Sequence, residues 1–396
     1  MRPVTEARQT DQRQTGAGAP HDRVWVLDDP RAGSAAQAIG IGERLGLSFR
    51  RVPLAWNWTQ PAASFGRYGS LIGLSPAARR RIGLPQPRIS LPGAPDWAQA
   101  RPIGPDLVLS AGRHSVGPDL VLSAGRRSAA VALWLKARYG SRIVHCMTPT
   151  PAAAAAARLG LGGLAQSLRN IALGRDADAF DLLVVPAHDR PSGTEPPPDN
   201  VLPVLGAPHR LSPLLLHQHA QAWHERLAHL PHPRVALLLG GRLHGSDLPP
   251  TMAHALGRKV ARLAARSGGA VFATTSARTG REATEALAAG LSPVLHLLYR
   301  WGEPDENPYH GFLASADVIV VSADSIAMIS EACATGAAVY VALPELAGPA
   351  QRRLIRDLEN LGQVRSLGDD LSVWPRGPLD ESGRVAAEIR RRFSLD

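Results

Sequence analysis

Lysine is almost missing from this chain: of its 44 basic residues only Lys136 and Lys259 are lysines, and the rest are arginine. The net charge of +10 is therefore spread along the whole sequence rather than gathered in a patch. That spread argues against a nucleic-acid surface, which needs clustered charge with aromatic side chains between for stacking. The nearest clusters, Arg79 to Arg81 with Arg88 and Arg390 to Arg392, have no such interleaving, and aromatics make up only 5% of the chain. Cysteine is scarce too. Cys146 and Cys333 can form no thiolate metal centre and at most one disulfide, and their apolar settings predict buried free thiols in a reducing compartment. No apolar run reaches the roughly 20 residues that cross a bilayer. The polar first 22 residues are expected to be a disordered tail without a signal-peptide core. The expected location is the cytoplasm, with at most peripheral contact at the inner face of a membrane.

Several nucleotide and hydrolase signatures are also lacking. There is no GxxxxGK[ST] loop and no GxSxG elbow, and GIGERLG at residues 40–46 breaks the dinucleotide spacing inside a helix. Asp176 and Asp178 spell a metal–diphosphate pair, but in a loop before a strand, where such carboxylates are usually solvated. His209, His217, His219, His224, His229 and His232 offer no i, i+4 pair of ligands on one helix face. No metal and no cofactor are expected.

What the chain does contain is alternation. RVWVLDD, a helix over 34–45 and LSFRRVPL form a strand–helix–strand unit, and FDLLVVPAHD and NVLPVLGAP add strands. Residues 55–104 are proline-rich and read as an excursion from the sheet edge, with a short basic helix near Ser75 to Arg81. GPDLVLSAGRHSV at 104–116 is followed by GPDLVLSAGRRSA at 117–129, identical at 11 of 13 positions. Two copies are too few for a solenoid. Only the second runs straight into a helix, so it is expected to supply the sheet strand. PTPAAAAAARLGLGGLAQS predicts a helix and turn. The boundaries drawn are an N-terminal Rossmann-like domain over 23–211, a linker helix over 212–232, a second Rossmann-like domain over 233–380, and a helix over 381–396 returning to the first. The fold class is α/β, two doubly wound domains facing each other across a cleft.

In the second half, three turns fall at the carboxyl ends of parallel strands: Gly240-Gly241, Thr275 to Gly280, and Ser322 to Ser325. Open α/β sheets bind ligands along that edge. Arg278 offers a fixed charge to a diphosphate, Ser276 and Thr279 offer hydroxyls, and Ser322 and Ser325 stand at a helix start that attracts anions. Glu331, two turns into that helix, is placed to accept hydrogen bonds from sugar hydroxyls, or else is an exposed helix former. That helix is expected to stop at Gly336.

Taken in order, RVWVLDDPRAGSAAQ, PDLVLSAGRRSA, FDLLVVPAHD, NVLPVLGAP, VALLLGG, TTSARTG and ENPYHGFLASADVIVVSADSIAMISEACATG resemble the mitochondrial fission ELM family, found in bacteria and plants, over roughly residues 23–392. The resemblance implies a GT-B-like, nucleotide-sugar glycosyltransferase architecture in a bacterial member. It implies a nucleotide site with Glu331 on the ribose, the turn of Ser276, Arg278 and Thr279 at the diphosphate, and Asn307, Pro308 and Tyr309 as a donor-side loop; the turns of Gly241 and of Ser322 and Ser325 are expected around the same diphosphate from their places at the strand ends. Arg31, Gly33 and Gln37 stand on the acceptor side. Asp28 and Asp29 are the candidates for a general base, or else simply cap the following helix. The expected partners are a nucleotide-sugar donor, bound as substrate, and a lipid-linked or membrane-surface acceptor. Plant members are implicated in recruiting a fission protein, so the alternative is a non-catalytic adaptor for a membrane-remodelling partner.

Overall fold

A computed structural model describes residues 23–56, 71, 74–84, 117–146, 179–189, 197–241 and 247–395. The first sheet holds β1 (Val24–Asp28), β2 (Phe49–Pro53), β3 (Leu120–Ala124), β4 (Arg142–Cys146), β5 (Leu182–Pro186) and β6 (Val201–Val204), in the order β2-β1-β3-β4-β5-β6. The second holds β7 (Arg234–Leu239), β8 (Ala270–Thr275), β9 (His296–Tyr299), β10 (Val318–Ser322), β11 (Ala338–Ala342) and β12 (Arg365–Ser366), in the order β12-β11-β10-β7-β8-β9. Every described strand pair is parallel. Each sheet is covered on both faces, which explains why β3, β5, β8, β10 and β11 are buried at every position and read as unbroken apolar runs. In β7, Val235, Leu237 and Leu239 enter one core cluster while Ala236 and Leu238 enter the other, the period of two that a strand imposes.

Helices α1 (Ala32–Leu45), α2 (Pro76–Ile82), α3 (Arg126–Tyr139) and α4 (Pro213–Leu227) belong to the first half and the linker. The second half carries α5 (Pro250–Arg266), α6 (Arg281–Leu291), α7 (Tyr309–Ser315), α8 (Ile326–Cys333), α9 (Pro349–Asn360) and α10 (Glu381–Phe393). The duplicated segment contributes its second copy as β3, between β1 and β4. The first copy, most of the proline-rich excursion, the alanine-rich stretch, and Asp176 with Asp178 lie outside the described residues. The described helices include none long and apolar enough to cross a membrane.

Three boundaries differ from the sequence reading. Helix α1 begins at Ala32, two residues before Ser34, because the Arg31 carbonyl already accepts from the amides of Ser34 and Ala35. Helix α4 ends at Leu227, short of the 232 drawn for the linker helix. Helix α8 ends at Cys333 rather than Gly336. There the Arg376 guanidinium donates to the carbonyls of Ala332 and Cys333 at 3.1 and 2.9 Å and takes over the closing of the helix.

The two halves are tied across the linker. Helix α10 packs Val385, Ala386 and Ile389 into the same core as Ala38, Ile41 and Leu45 of α1. Ser382 Oγ accepts from the His209 amide at 2.8 Å, Glu381 Oε1 from the Leu205 amide at 3.0 Å, and Ser330 Oγ from the Ala207 amide at 2.9 Å. The glycine at 40, inside α1, has a packing role: a Cβ there would overlap the His209 carbonyl oxygen, so only glycine lets helix and linker meet.

Candidate nucleotide cleft

In its own chain order the second sheet runs 3-2-1-4-5-6 read from β9, so its direction of winding reverses between β7 and β10. Ligands of open α/β sheets bind at such a reversal, beyond the carboxyl ends of the strands. Here the turn after β7 meets the turns after β8 and β10, and a single carboxylate joins them. Asp324, 7% exposed, accepts from Ser322 Oγ at 2.7 Å and from the Gly241 amide at 3.1 Å, and pairs with Arg278 at 3.0 Å. The Ser322 hydroxyl in turn accepts from the Gly240 amide at 2.8 Å. A Cβ at Gly240 would collide with the Asp324 carboxylate, so the corner demands glycine at that position.

Two expectations change at this corner. Thr279 is fully buried, its hydroxyl donating to the carbonyls of Leu239 and Gly240 and accepting from the Ser276 amide at 2.9 Å. Ser322 is equally buried and engaged. Both hydroxyls hold the turns together, because burying them unpaired would cost about 1–3 kcal/mol each, and neither is presented to a ligand. Ser325 caps α8, accepting weakly from the Met328 amide at 3.4 Å. Arg278 keeps a half-exposed side chain, so its outer face remains open to solvent.

Beside the corner a cavity of about 360 Å³ opens between the two domains. One wall comes from Ala32, Gly33 and Ala36 of α1 and from Ala207 to His209. The other comes from Thr274, Thr275, Ser276, Trp301, Asn307, Tyr309, Ala327, Met328 and Glu331. Of the residues expected to act, it brings together Gly33, Ser276, Asn307, Tyr309 and Glu331. Gly241, Arg278, Thr279, Ser322 and Ser325 form the adjoining corner instead, and Pro308 supplies the N-cap of α7. Asp28, Asp29, Arg31 and Gln37 lie off the cavity wall, near the start of α1.

The chemical centre of the cavity is a pair. The Tyr309 hydroxyl donates to Glu331 Oε2 at 2.6 Å. Burial pushes the Glu331 carboxyl up to about 7, against the opposing pull of the Tyr309 hydrogen bond. Burial, and then the Glu331 charge, drive the Tyr309 hydroxyl well above its ordinary value. Glu331 is thus no exposed helix former, and its carboxyl is poised between charged and neutral near physiological pH. Asn307 Oδ1 accepts from the Tyr309 amide at 3.0 Å, which sets the start of α7 and so the place of the tyrosine.

Trp301 is the residue that sequence reasoning did not assign. It is 58% exposed, its amide donates to Thr275 Oγ1 at 3.1 Å, and its ring stands between the 360 Å³ cavity and a second hollow lined by Arg281, Glu285 and Arg300. A tryptophan in a polar turn, WGEPDENP, was the available signal. On the first-domain side, Asp28 is engaged by Arg51 at 2.8 Å, whereas Asp29 is 3% exposed and accepts from the Arg31 amide at 2.9 Å. Burial raises the Asp29 carboxyl, opposed by that amide and by Arg127.

Among solved structures the chain is similar to Os79 from O. sativa in complex with U2F and trichothecene, with a TM-score of 0.50 at 14% identity over 94% of this chain and 93% of that one. It is also similar to a UDP-glucosyltransferase from Polygonum tinctorium, with a TM-score of 0.46, 14% identity, and 94% and 93% coverage. These likenesses concern the fold, two Rossmann-like domains in the GT-B arrangement. In sequence the chain is 31% identical over 242 residues to the mitochondrial fission protein ELM1 of Arabidopsis thaliana, over 54% of this chain. The match spans about half the length of that relative, 55%. The family model described as mitochondrial fission ELM1 matches residues 32–157 and 174–393, which is most of the chain. On that family match over most of its length, the chain belongs to the mitochondrial fission ELM1 family.

Proposed function

We propose that the protein binds a nucleoside-diphosphate sugar in the cleft and transfers the sugar, without a metal, to an acceptor held by the first domain. The observation that carries this reading is the Tyr309–Glu331 pair on the cavity wall beside an exposed tryptophan. A carboxylate on the wall of an open cleft is suited to accept hydrogen bonds from the paired hydroxyls of a ribose. Trp301 offers a flat face on which a base stacks. The Ser276 hydroxyl and the outer face of Arg278 would meet the diphosphate, and the start of α8 adds the partial positive charge of its free amides. Those groups would stabilise the charge that grows on the departing nucleotide, the task for which an enzyme otherwise recruits a cation.

In the reaction, an acceptor hydroxyl oxygen bonds to the anomeric carbon as the bond from that carbon to the diphosphate oxygen breaks. The electron pair leaves with the nucleoside diphosphate, and the hydroxyl proton passes to a base. Asp29 is the better candidate of the two aspartates, because burial makes its carboxylate more basic while Asp28 is held by Arg51. An acceptor entering over Arg31 and Gly33 would approach it.

Asp324 favours a second reading, in which the fold is an adaptor without turnover, presenting a surface to a membrane-remodelling partner. Its carboxylate already neutralises Arg278 and occupies the Gly241 amide that a diphosphate would otherwise claim. A calorimetric and thermal-shift panel of UDP-, GDP-, ADP- and CMP-sugars separates the two. Transfer predicts that at least one stabilises the protein, and that Arg278→Ala abolishes the effect while the fold persists. Silence across the panel at millimolar ligand would leave only the adaptor.

A further inference from the structure

The first sheet has a reversal of its own. Its order β2-β1-β3-β4-β5-β6 changes direction between β1 and β3, so a crevice lies beyond Asp28 and Asp29 on one side and Gly125 to Arg127 on the other. Helices α1 and α3 both start there. Gly125, at φ +83°, precedes α3 with no side-chain cap, and a Cβ on it would press within 2.7 Å of Ser34 Oγ, so the first turns of the two helices are in contact. Arg31 precedes α1, again with no side-chain cap, and the amides of Ala32 and Gly33 have no acceptor among the described residues.

Arg127 is the unexplained group in this crevice. It is 9% exposed, and its Nε and Nη2 are buried without a hydrogen-bond partner among the described residues. A guanidinium brings five donors, and burying them unpaired is costly enough that such groups generally await an acceptor. The centroid of the Trp56 ring lies 5.9 Å from its guanidinium carbon, and it lies within electrostatic reach of Arg31 and Asp29. Asp28 is paired with Arg51, which leaves its charge engaged away from Arg127.

We propose that this crevice is an anion subsite that takes a phosphate or diphosphate group carried by the acceptor, with Arg127 and Arg31 as the charged donors and the start of α1 supplying backbone amides. The open start of α1 and a desolvated arginine offer a tetrahedral anion both backbone amides and a counter-charge. As an acceptor site it rests on the transfer reading above; as an anion site it stands on its own geometry. A phosphate held here would bring the acceptor over Asp29 and Gly33, the latter on the wall of the nucleotide cavity.

The test is titration calorimetry of the full chain with inorganic pyrophosphate, in the wild type, Arg278→Ala, Arg127→Gln and Arg31→Gln. Arg278→Ala removes the charge at the nucleotide corner and should still bind pyrophosphate. Arg127→Gln should weaken it about tenfold to a hundredfold, the worth of a charge-assisted hydrogen bond. Arg31→Gln, at an exposed position, should weaken it less and carries the test if Arg127→Gln fails to fold. Equal affinity in the wild type and both crevice variants, or no heat in the wild type and Arg278→Ala, would overturn the assignment. Binding of the UDP-, GDP-, ADP- and CMP-sugars is measured separately, and silence from all four sinks the transfer reading without bearing on the crevice. Glucose 1-phosphate and phosphatidylcholine vesicles doped with phosphatidic acid then separate the sources. Arg127-dependent binding of the sugar phosphate assigns a soluble acceptor, and Arg127-dependent binding of vesicles alone assigns a lipid-borne phosphate.

Discussion

Replacing Glu331 with glutamine should make the protein more stable at pH 8 while weakening its affinity for nucleotide. The carboxyl titrates at about 7 in the folded protein against an ordinary 4.5, chiefly because burial penalises its charged form. Between those values the folded state holds the proton and the unfolded chain has released it. Stability therefore falls as the pH rises through that window and is lowest above 7. A difference of that size corresponds to an upper bound of about 3 kcal/mol. Glu331 lines a cavity that water can enter, so we expect about 1–3 kcal/mol at pH 8 and almost none at pH 4.5. Glutamine keeps the shape and, through its carbonyl oxygen, the hydrogen bond from Tyr309, so it removes the charge without opening a hole. Melting followed by circular dichroism at pH 5 and pH 8 should show the variant ahead of the wild type by a few degrees at pH 8 only. A calorimetric titration of UDP or whichever nucleotide binds should weaken by tenfold or more. Wild type and variant losing stability in parallel from pH 5 to 8 would refute the assignment of a strained carboxyl at this position. A variant less stable at pH 8 would mean that an unrecognised cation holds the charge.

Further outcomes follow from the same geometry. Trp301→Ala should leave the melting temperature almost unchanged, since the ring is 58% exposed, and weaken nucleotide binding by about 1–3 kcal/mol in a calorimetric titration. Asp324→Asn should destabilise the second domain by about 1–3 kcal/mol in urea unfolding, because the Gly241 amide and Arg278 lose a charged acceptor. The same variant should bind pyrophosphate more tightly than the wild type, as Arg278 is released. Ile389→Ala, at a fully buried position of α10, should cost about 2–4 kcal/mol and broaden the unfolding transition as the halves lose their tie. Gly40→Ala should shift the melting temperature down by several degrees, because its methyl group meets the His209 carbonyl.

Much of the fold was legible because parallel strands covered on both faces announce themselves as short unbroken apolar runs. Val318 to Val321 and Leu182 to Val185 are such runs, and both became central strands. The duplicated GPDLVLSAGR was readable for a simpler reason: only one copy continues into a helix, and that copy is β3. The two-residue β12 escaped notice, since Arg365 and Ser366 are exposed and carry no apolar signal. The end of α8 also escaped, because its closing partner, Arg376, lies over forty residues away in the chain.

At the cleft, local pattern placed the turns after β7, β8 and β10 along one edge, because strand–turn–helix chemistry is a matter of neighbouring residues. It placed Glu331 on the right helix as well. Spacing along a chain carries no information about which hydroxyl faces inward, so Thr279 and Ser322 looked like ligand donors until packing buried them, and only the packing shows Asp324 joining three turns. Nor does it show that Tyr309 and Glu331, twenty-two positions apart, meet in a hydrogen bond, or that Arg127 is sealed in with donors unpaired. Those are consequences of desolvation, which depends on what the rest of the molecule brings to a point in space.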